Sequence, residues 1–334
     1  MSLARPVPLR FMVGARTIVS VERRLVRVPL TLAEARAGAC PALPPLPAEA
    51  QGYLVTSLPE AACGPLLGGG MLGLVRQRYT RFHVDLSIGF EAWFAGLSAN
   101  TRQGLRRKAK RIGGEVRRYR TPAEMEAFYP LARALSARTY QERLLGAGLP
   151  EDPAGLQRLA AADAVRAWLL LVEEQPVAYL CCPAVGDTLI YAHVGHDPAF
   201  APVSPGAVLQ LEALRDLFAE ARFAWFDFTE GEGQHKRQMA SGGVACVDLL
   251  LLRPTLANRL LIAALAGFDG GVALAKRVVR GLGAERVARR LRRGRILQLP
   301  LSQRKGSSSG KGAQSEGGRK PYSPPPGGGG RPKA

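Results

Sequence analysis

Acids, bases and a Ser-Pro-Gly turn crowd into one stretch of the chain, Thr188 to Lys236. His193, His196, Asp227, Glu230, His235 and Lys236 can each hold a charge or exchange a proton, and Ser204-Pro205-Gly206 precedes Ala207, Leu211, Leu214 and Phe218 at helical spacing. The pattern predicts strand, turn, amphipathic helix, strand and polar loop. In such a unit the free N–H groups of the helix start lie beside the end of one strand, and the next strand brings Asp227 toward the same place. That arrangement predicts a site for a phosphate-bearing cofactor. Asp227 stands among Trp225, Phe226 and Phe228, so its charge needs an answering cation or N–H.

The rest of the chain must position this stretch. Residues 9–30 are β-rich, 41–50 form a Pro-rich connector, and a strand follows at Tyr53 to Ser57. From Met71 to Leu86 the residues Thr80, Phe82, Val84 and Leu86 alternate with Tyr79, Arg81, His83 and Asp85, which predicts a half-buried strand with His83 on its wetter face. Ser98 caps a helix whose only apolar line is Leu105, Ala109 and Ile112; almost everything else in it is cationic. Thr121-Pro122-Ala123-Glu124 is a capping box that opens a helix running through Tyr140, and Asp152-Pro153 opens another. Trp168–Val172, Val177–Cys182 and Leu189–Val194 read as an antiparallel meander, linked by turns at Glu173–Pro176 and Gly186-Asp187. A strand at Phe223 to Thr229 puts Trp225, Asp227 and Thr229 on one face, and a last strand spans Ala245 to Leu252. Residues 255–293 read as amphipathic helices interrupted at Gly270-Gly271.

Composition narrows the class. With 47% apolar residues in 334, the chain can bury one large or two modest cores. Its net charge of +19 is concentrated: residues 100–120, 273–295 and 301–334 together carry +22, leaving the remainder near neutral. Such patches attract phosphates, anionic lipid or nucleic acid. The five cysteines form no C-x-x-C pair, and adjacent Cys181 and Cys182 point to opposite faces of a strand, which argues against a disulfide scaffold and a zinc site. No run of about 18 apolar residues and no secretory leader pattern is visible, so a cytoplasmic location is expected. From Leu301, 20 of 34 residues are Gly, Ser or Pro, which predicts a disordered basic tail.

Taken in order, L-S-x-x-x-R-x-x-L-R-R, Ala137-Arg138-Thr139-Tyr140, the meander, V-G-H-D-P-A-F-A-P-V-S-P-G, a helix, F-D-F-T-E-G-E-G and H-K-R resemble one family. The chain is similar over about residues 97–250 to GNAT-superfamily acyltransferases of the cellulose- and exopolysaccharide-associated type, relatives of the Fem peptidoglycan aminoacyltransferases. The resemblance implies an α/β (α+β) fold, a mixed, mostly antiparallel sheet flanked by helices. It divides the chain into an N-terminal β-rich segment at 1–96, read as a degenerate GNAT-like half, an acyltransferase domain at 97–253, basic helices at 254–300 and the tail at 301–334.

It further implies an acyl-CoA co-substrate, no metal, and an amine- or hydroxyl-bearing acceptor. The acyl-CoA is expected between splayed strands at Leu189–Val194 and Phe223–Thr229. Backbone N–H groups of Val194, Gly195 and His196 would hold the pantetheine and polarise the thioester carbonyl, and the turn at Ser204, Gly206 and Ala207 would cradle pyrophosphate, with Pro205 giving up one donor. Asp227 is expected as general base with Glu230 as second choice, Lys236 or His235 as a cation, and Tyr140 and Arg143 facing the acceptor; alternatively Asp227 only orders its loop. A Fem-like aminoacyl-tRNA donor stays open because of the basic helix at 102–111. So does a non-catalytic adaptor for nucleic acid or an anionic membrane at the inner face.

Overall fold

The computed structural model describes residues 4–14, 16–138, 148–150, 152–231 and 233–281. Eleven strands form one sheet: β1 Ala4–Val13, β2 Arg16–Pro29, β3 Gly52–Pro59, β4 Leu72–Asp85, β5 Glu115–Tyr119, β6 Val165–Val172, β7 Gln175–Val185, β8 Thr188–Ile190, β9 His193–His196, β10 Trp225–Asp227 and β11 Gly242–Leu252. Their order is β1-β2-β3-β11-β4-β10-β8-β7-β6-β5, with β9 paired to β7. Only β2–β3 and β8–β10 are parallel. Because β11 lies between β3 and β4, strands from residues 1–96 and 97–253 interleave, and neither segment completes its sheet alone.

Helices cover both faces. Cationic α4, Ala99–Ile112, and α7, Pro205–Glu220, lie with α3, Phe90–Gly96, on one face, where Leu105, Trp93, Leu211, Leu214 and Phe218 meet Leu180, Leu189 and Phe226. The predicted line of α4 is the one it buries: Leu105 is buried, and Ala109 and Ile112 pack beside it. On the opposite face α5, Pro122–Ser136, and α6, Pro153–Ala161, cover Leu169, Tyr179 and Cys181 of β6 and β7, while the short α1, Leu32–Arg36, covers β4 and β11. Cys182 faces the α7 side and Cys181 the α5 side, as the period of two requires. Glu173 and Glu174 both have positive φ (50° and 61°), the backbone that a tight hairpin turn needs to match strand twist. Among the described residues the other α-helices are α2, Cys63–Leu67, α8, Gln234–Met239, and α9, Leu256–Gly281.

Three expectations change. His83 is buried rather than on a wet face, because β4 is central, paired to β10 and β11, and the Trp225 ring packs edge to face on it at 5.3 Å. The predicted strand Leu189–Val194 is broken into β8 and β9, and Thr229, at φ 60°, has left β10. Helix α9 passes through Gly270-Gly271 without interruption and contains a 20-residue stretch, Leu256–Ala275, of mean hydropathy 1.3, long and apolar enough by length and composition to cross a membrane. Its few charges divide the sequence into short apolar runs yet leave the average high. Up to Ala273 the helix belongs to the unit that holds the sheet, and Leu261 and Leu265 pack there against Val7, Leu9, Leu25 and Leu250. Residues 274–281 lie outside that unit.

Candidate active site

The centre of the site is a gap made by backbone alone. β8 and β10 run side by side as far as Ile190 and Asp227, and the Tyr191 N–H donates to the Asp227 carbonyl at 2.9 Å. There the strands part. Phe228 turns to β4, donating to the Phe82 carbonyl at 3.0 Å, whereas β9 stays with β7. Asp197 N–H donates to the Val177 carbonyl at 2.9 Å, which sets the phase of the β7–β9 ladder. In an antiparallel ladder bonded and non-bonded pairs alternate, so His193 and Gly195 turn their polar groups to β7, and Val194 and His196 turn theirs toward the gap. The expectation of three donors is corrected to two, since Gly195 spends its N–H on the sheet.

Above the gap on the α7 side, Val194, Phe200 and Ala207 pack on one core cluster, which brings the start of α7 to β9. Ser204 adopts a left-handed conformation (φ 56°), its N–H donates to the Ala201 carbonyl, and Ala207 N–H returns to the Ser204 carbonyl, both at 3.1 Å. Ser204 and Ala207 are therefore bound within the turn, and Pro205 has no donor. Gly206 keeps an N–H without a backbone partner among the described residues, and a Cβ built there meets nothing within 4 Å. The cations a phosphate would need come from elsewhere: α4 packs against α7 and the turn before it, and exposes Arg106, Arg107, Lys110 and Arg111.

Asp227 is not placed as a base. Its side chain is 0% exposed, and Arg81 holds it through Nε (3.2 Å to each oxygen) and Nη2 (2.5 Å), while Thr229 N–H donates to Oδ1 at 2.8 Å. The carboxylate orders the turn after β10, the second of the two roles expected, with Arg81 rather than Lys236 as the cation. Lys236 instead donates to the Glu230 carbonyl at 2.6 Å, and burial lowers its pKa. Glu230 is exposed on that loop. His235 stands 6.1 Å, ring to ring, from Tyr191, which also contacts Phe226 and Phe228. His193 donates its Nδ1–H to the Gly148 carbonyl (3.1 Å) on the α5 side, away from the gap donors. Tyr140 and Arg143 lie outside the described residues.

Two participants escaped sequence reasoning, Arg81 and Tyr191. Arg81 carried a signal, a cation in mid-strand between Thr80 and Phe82, where alternation puts it on the same face as His83. Tyr191 carried none, because a break in a strand leaves no mark in hydrophobic period. On the Arg81 face a recess of about 420 Å³ opens beside Ile190, lined by Leu30, Leu32, Ala33, Arg81, Thr188 and Ile190. A larger hollow, about 620 Å³, lies at the other end of α7, where Arg166 is already paired with Glu220 and Asp163.

Loss of hydration holds His83, His193 and His235 below the ordinary imidazole value of about 6.5, with Arg36 adding to the effect at His83 and Lys236 at His235. Just below pH 6.5 the unfolded chain therefore binds more protons than the folded one, and stability falls as pH falls. The melting temperature is expected to drop steadily between pH 7 and pH 5, before carboxylates titrate. A melting temperature flat across that interval would show that these imidazoles are not held neutral by the fold.

Comparison with known proteins bears on the same stretch. Residues 99–237 match the family model of the acetyltransferase (GNAT) domain. The segment runs from α4 into α8 and contains the parted strands, and the mixed, mostly antiparallel sheet flanked by helices is a GNAT-like fold. No curated protein matches the chain. Among solved structures, the C-terminal domain (DUF2156) of a putative lysylphosphatidylglycerol synthetase from Agrobacterium fabrum is similar at 12% identity, over 66% of this chain and 73% of that one, with a TM-score of 0.47. L-PGS from Bacillus licheniformis is similar at 16% identity, over 63% and 71%, with a TM-score of 0.41. FemX is similar at 9% identity, over 78% and 90%, with a TM-score of 0.48.

Proposed function

We propose that this protein is an acyl-CoA-dependent N-acyltransferase. The observation that carries the proposal is the parting of β8 and β10, which turns the Val194 and His196 N–H groups into a gap beside the start of α7, inside the segment that matches the GNAT domain. Bound acyl-CoA supplies the activated acyl carbon. The chain's part is to hold the carbonyl oxygen at those two donors, where charge grows during attack, and to hold phosphate at Gly206 and the α4 cations. The acceptor amine approaches from the apolar recess beside Ile190, so its body is apolar rather than polyanionic. His235, held toward its neutral form and beside Tyr191, takes the proton that the amine releases as the carbon–sulfur bond breaks and CoA leaves as its thiolate, with Glu230, on the loop before α8, as second candidate. A role in polysaccharide or cell-envelope biosynthesis belongs to the same proposal and rests on motif order alone.

Binding is tested by melting the protein with CoA. At 100 times its Kd a ligand stabilises by about 2.7 kcal/mol. Gly206→Trp should melt like the wild type without CoA, because its Cβ points into open space, and should lose the CoA-dependent gain. His235→Gln should keep the gain while acetyl transfer from acetyl-CoA to a simple alkylamine falls about 100-fold. A Gly206→Trp protein still stabilised by CoA would put the phosphate elsewhere. An aminoacyl-tRNA donor is the second reading, carried by the acid-free outer face of α4. Consumption of charged tRNA without response to acyl-CoA would establish it.

A further inference from the structure

We propose that the tip of the β1–β2 hairpin, with the outer face of α9 beside it, docks this protein on an anionic lipid bilayer. The hairpin carries Met12, Val13, Ile18 and Val19 at its tip, 39%, 50%, 53% and 53% exposed. Four large apolar side chains thus stand exposed at the end of one two-stranded projection, on both of its faces, a concentration that a soluble surface rarely leaves in water. The hairpin is also strongly cationic: residues 4–29 contain six arginines and one acid, Glu22, and Arg10 and Arg16 stand exposed on either side of the apolar tip. Apolar side chains flanked by arginines are what a bilayer of anionic headgroups over hydrocarbon accepts.

The hairpin is fixed to α9. Phe11 meets Phe268 edge to face at 5.3 Å, Arg76 bonds both the Arg10 carbonyl and Asp269 at 2.9 Å, and Arg23 donates to Asn258 at 3.2 Å. These contacts lay the helix along the hairpin from its middle toward its tip. The helix buries Asn258, Leu261 and Leu265 and leaves Leu256 and Leu260 outward, 74% and 65% exposed.

Other occupants fit less well. A second copy would add to the free edge of β1, but Pro6 and Pro8 remove two donors from that edge and Arg5 and Arg10 crowd it. Nucleic acid would need exposed aromatic rings for stacking, and Phe11, the aromatic nearest the tip, is spent on Phe268.

The test is sedimentation of the full chain with vesicles, one set of pure phosphatidylcholine and one of equal phosphatidylcholine and phosphatidylglycerol. Binding is expected to the second set alone and to weaken with salt. The Ile18→Ser/Val19→Ser double variant, altered at exposed positions, should melt as the wild type does and bind the anionic vesicles about tenfold more weakly. No binding at low salt overturns the proposal, and so does binding unchanged in the double variant. Dimerisation or RNA binding that the double variant abolishes, without vesicle binding, would assign the patch to that partner instead. None of these outcomes depends on acyl-CoA, so the acyl-transfer reading stands or falls separately.

Discussion

Arg81→Ala is expected to cost the folded protein about 3–5 kcal/mol, because it strands a fully buried carboxylate without its cation. The same change removes the donor to the Leu30 carbonyl, at 2.7 Å, that ties the end of β2 to β4. Asp227→Asn should destabilise as well, since the guanidinium then lacks its counter-charge. A double variant with apolar residues at both positions should recover much of the loss, because the pair's attraction mainly offsets its own desolvation. Chemical denaturation of the two single variants and the double gives the coupling directly. If Asp227→Asn keeps wild-type stability while activity disappears, Asp227 is a base after all and the ion pair is incidental.

Trp93→Ala should cost a comparable amount, about 3–5 kcal/mol. Trp93 is 2% exposed, packs on Phe90, Phe94 and Phe218, and donates its indole N–H to the Met239 carbonyl at 2.9 Å. That bond anchors the end of α8, the helix that carries His235 and Lys236. Trp93→Phe keeps most of the packing and leaves a buried carbonyl unanswered, so it should cost about 1–3 kcal/mol. Thermal and urea unfolding of both variants separate the cavity from the lost hydrogen bond. If Trp93→Phe and Trp93→Ala prove equally destabilised, the hydrogen bond rather than the packing secures α8.

The parts of the site legible in the sequence are those fixed by neighbours in the chain. Proline at the first helical position, the capping box at Thr121 and Glu124, and the apolar line of α4 depend on spacings of three or four residues, and the structure holds each of them. The placing of Cys181 and Cys182 on opposite faces depends on a spacing of one. Partners distant in sequence were not legible. Arg81 and Asp227 are separated by 146 positions, and nothing in either segment names the other.

The sequence by itself therefore determined the helices α4 to α7 and the place of the Ser-Pro-Gly turn at a helix start, because period, caps and turn backbones are local properties; the loop expected up to Lys236 is helical from Gln234. Tertiary structure decided the roles. It buried His83 by setting β4 between β10 and β11 and packing Trp225 against the imidazole. It converted Asp227 from a candidate base into the partner of Arg81. It also selected Val194 and His196 over Gly195 as the donors in the gap, since that choice depends on which strand β9 pairs with and in what register.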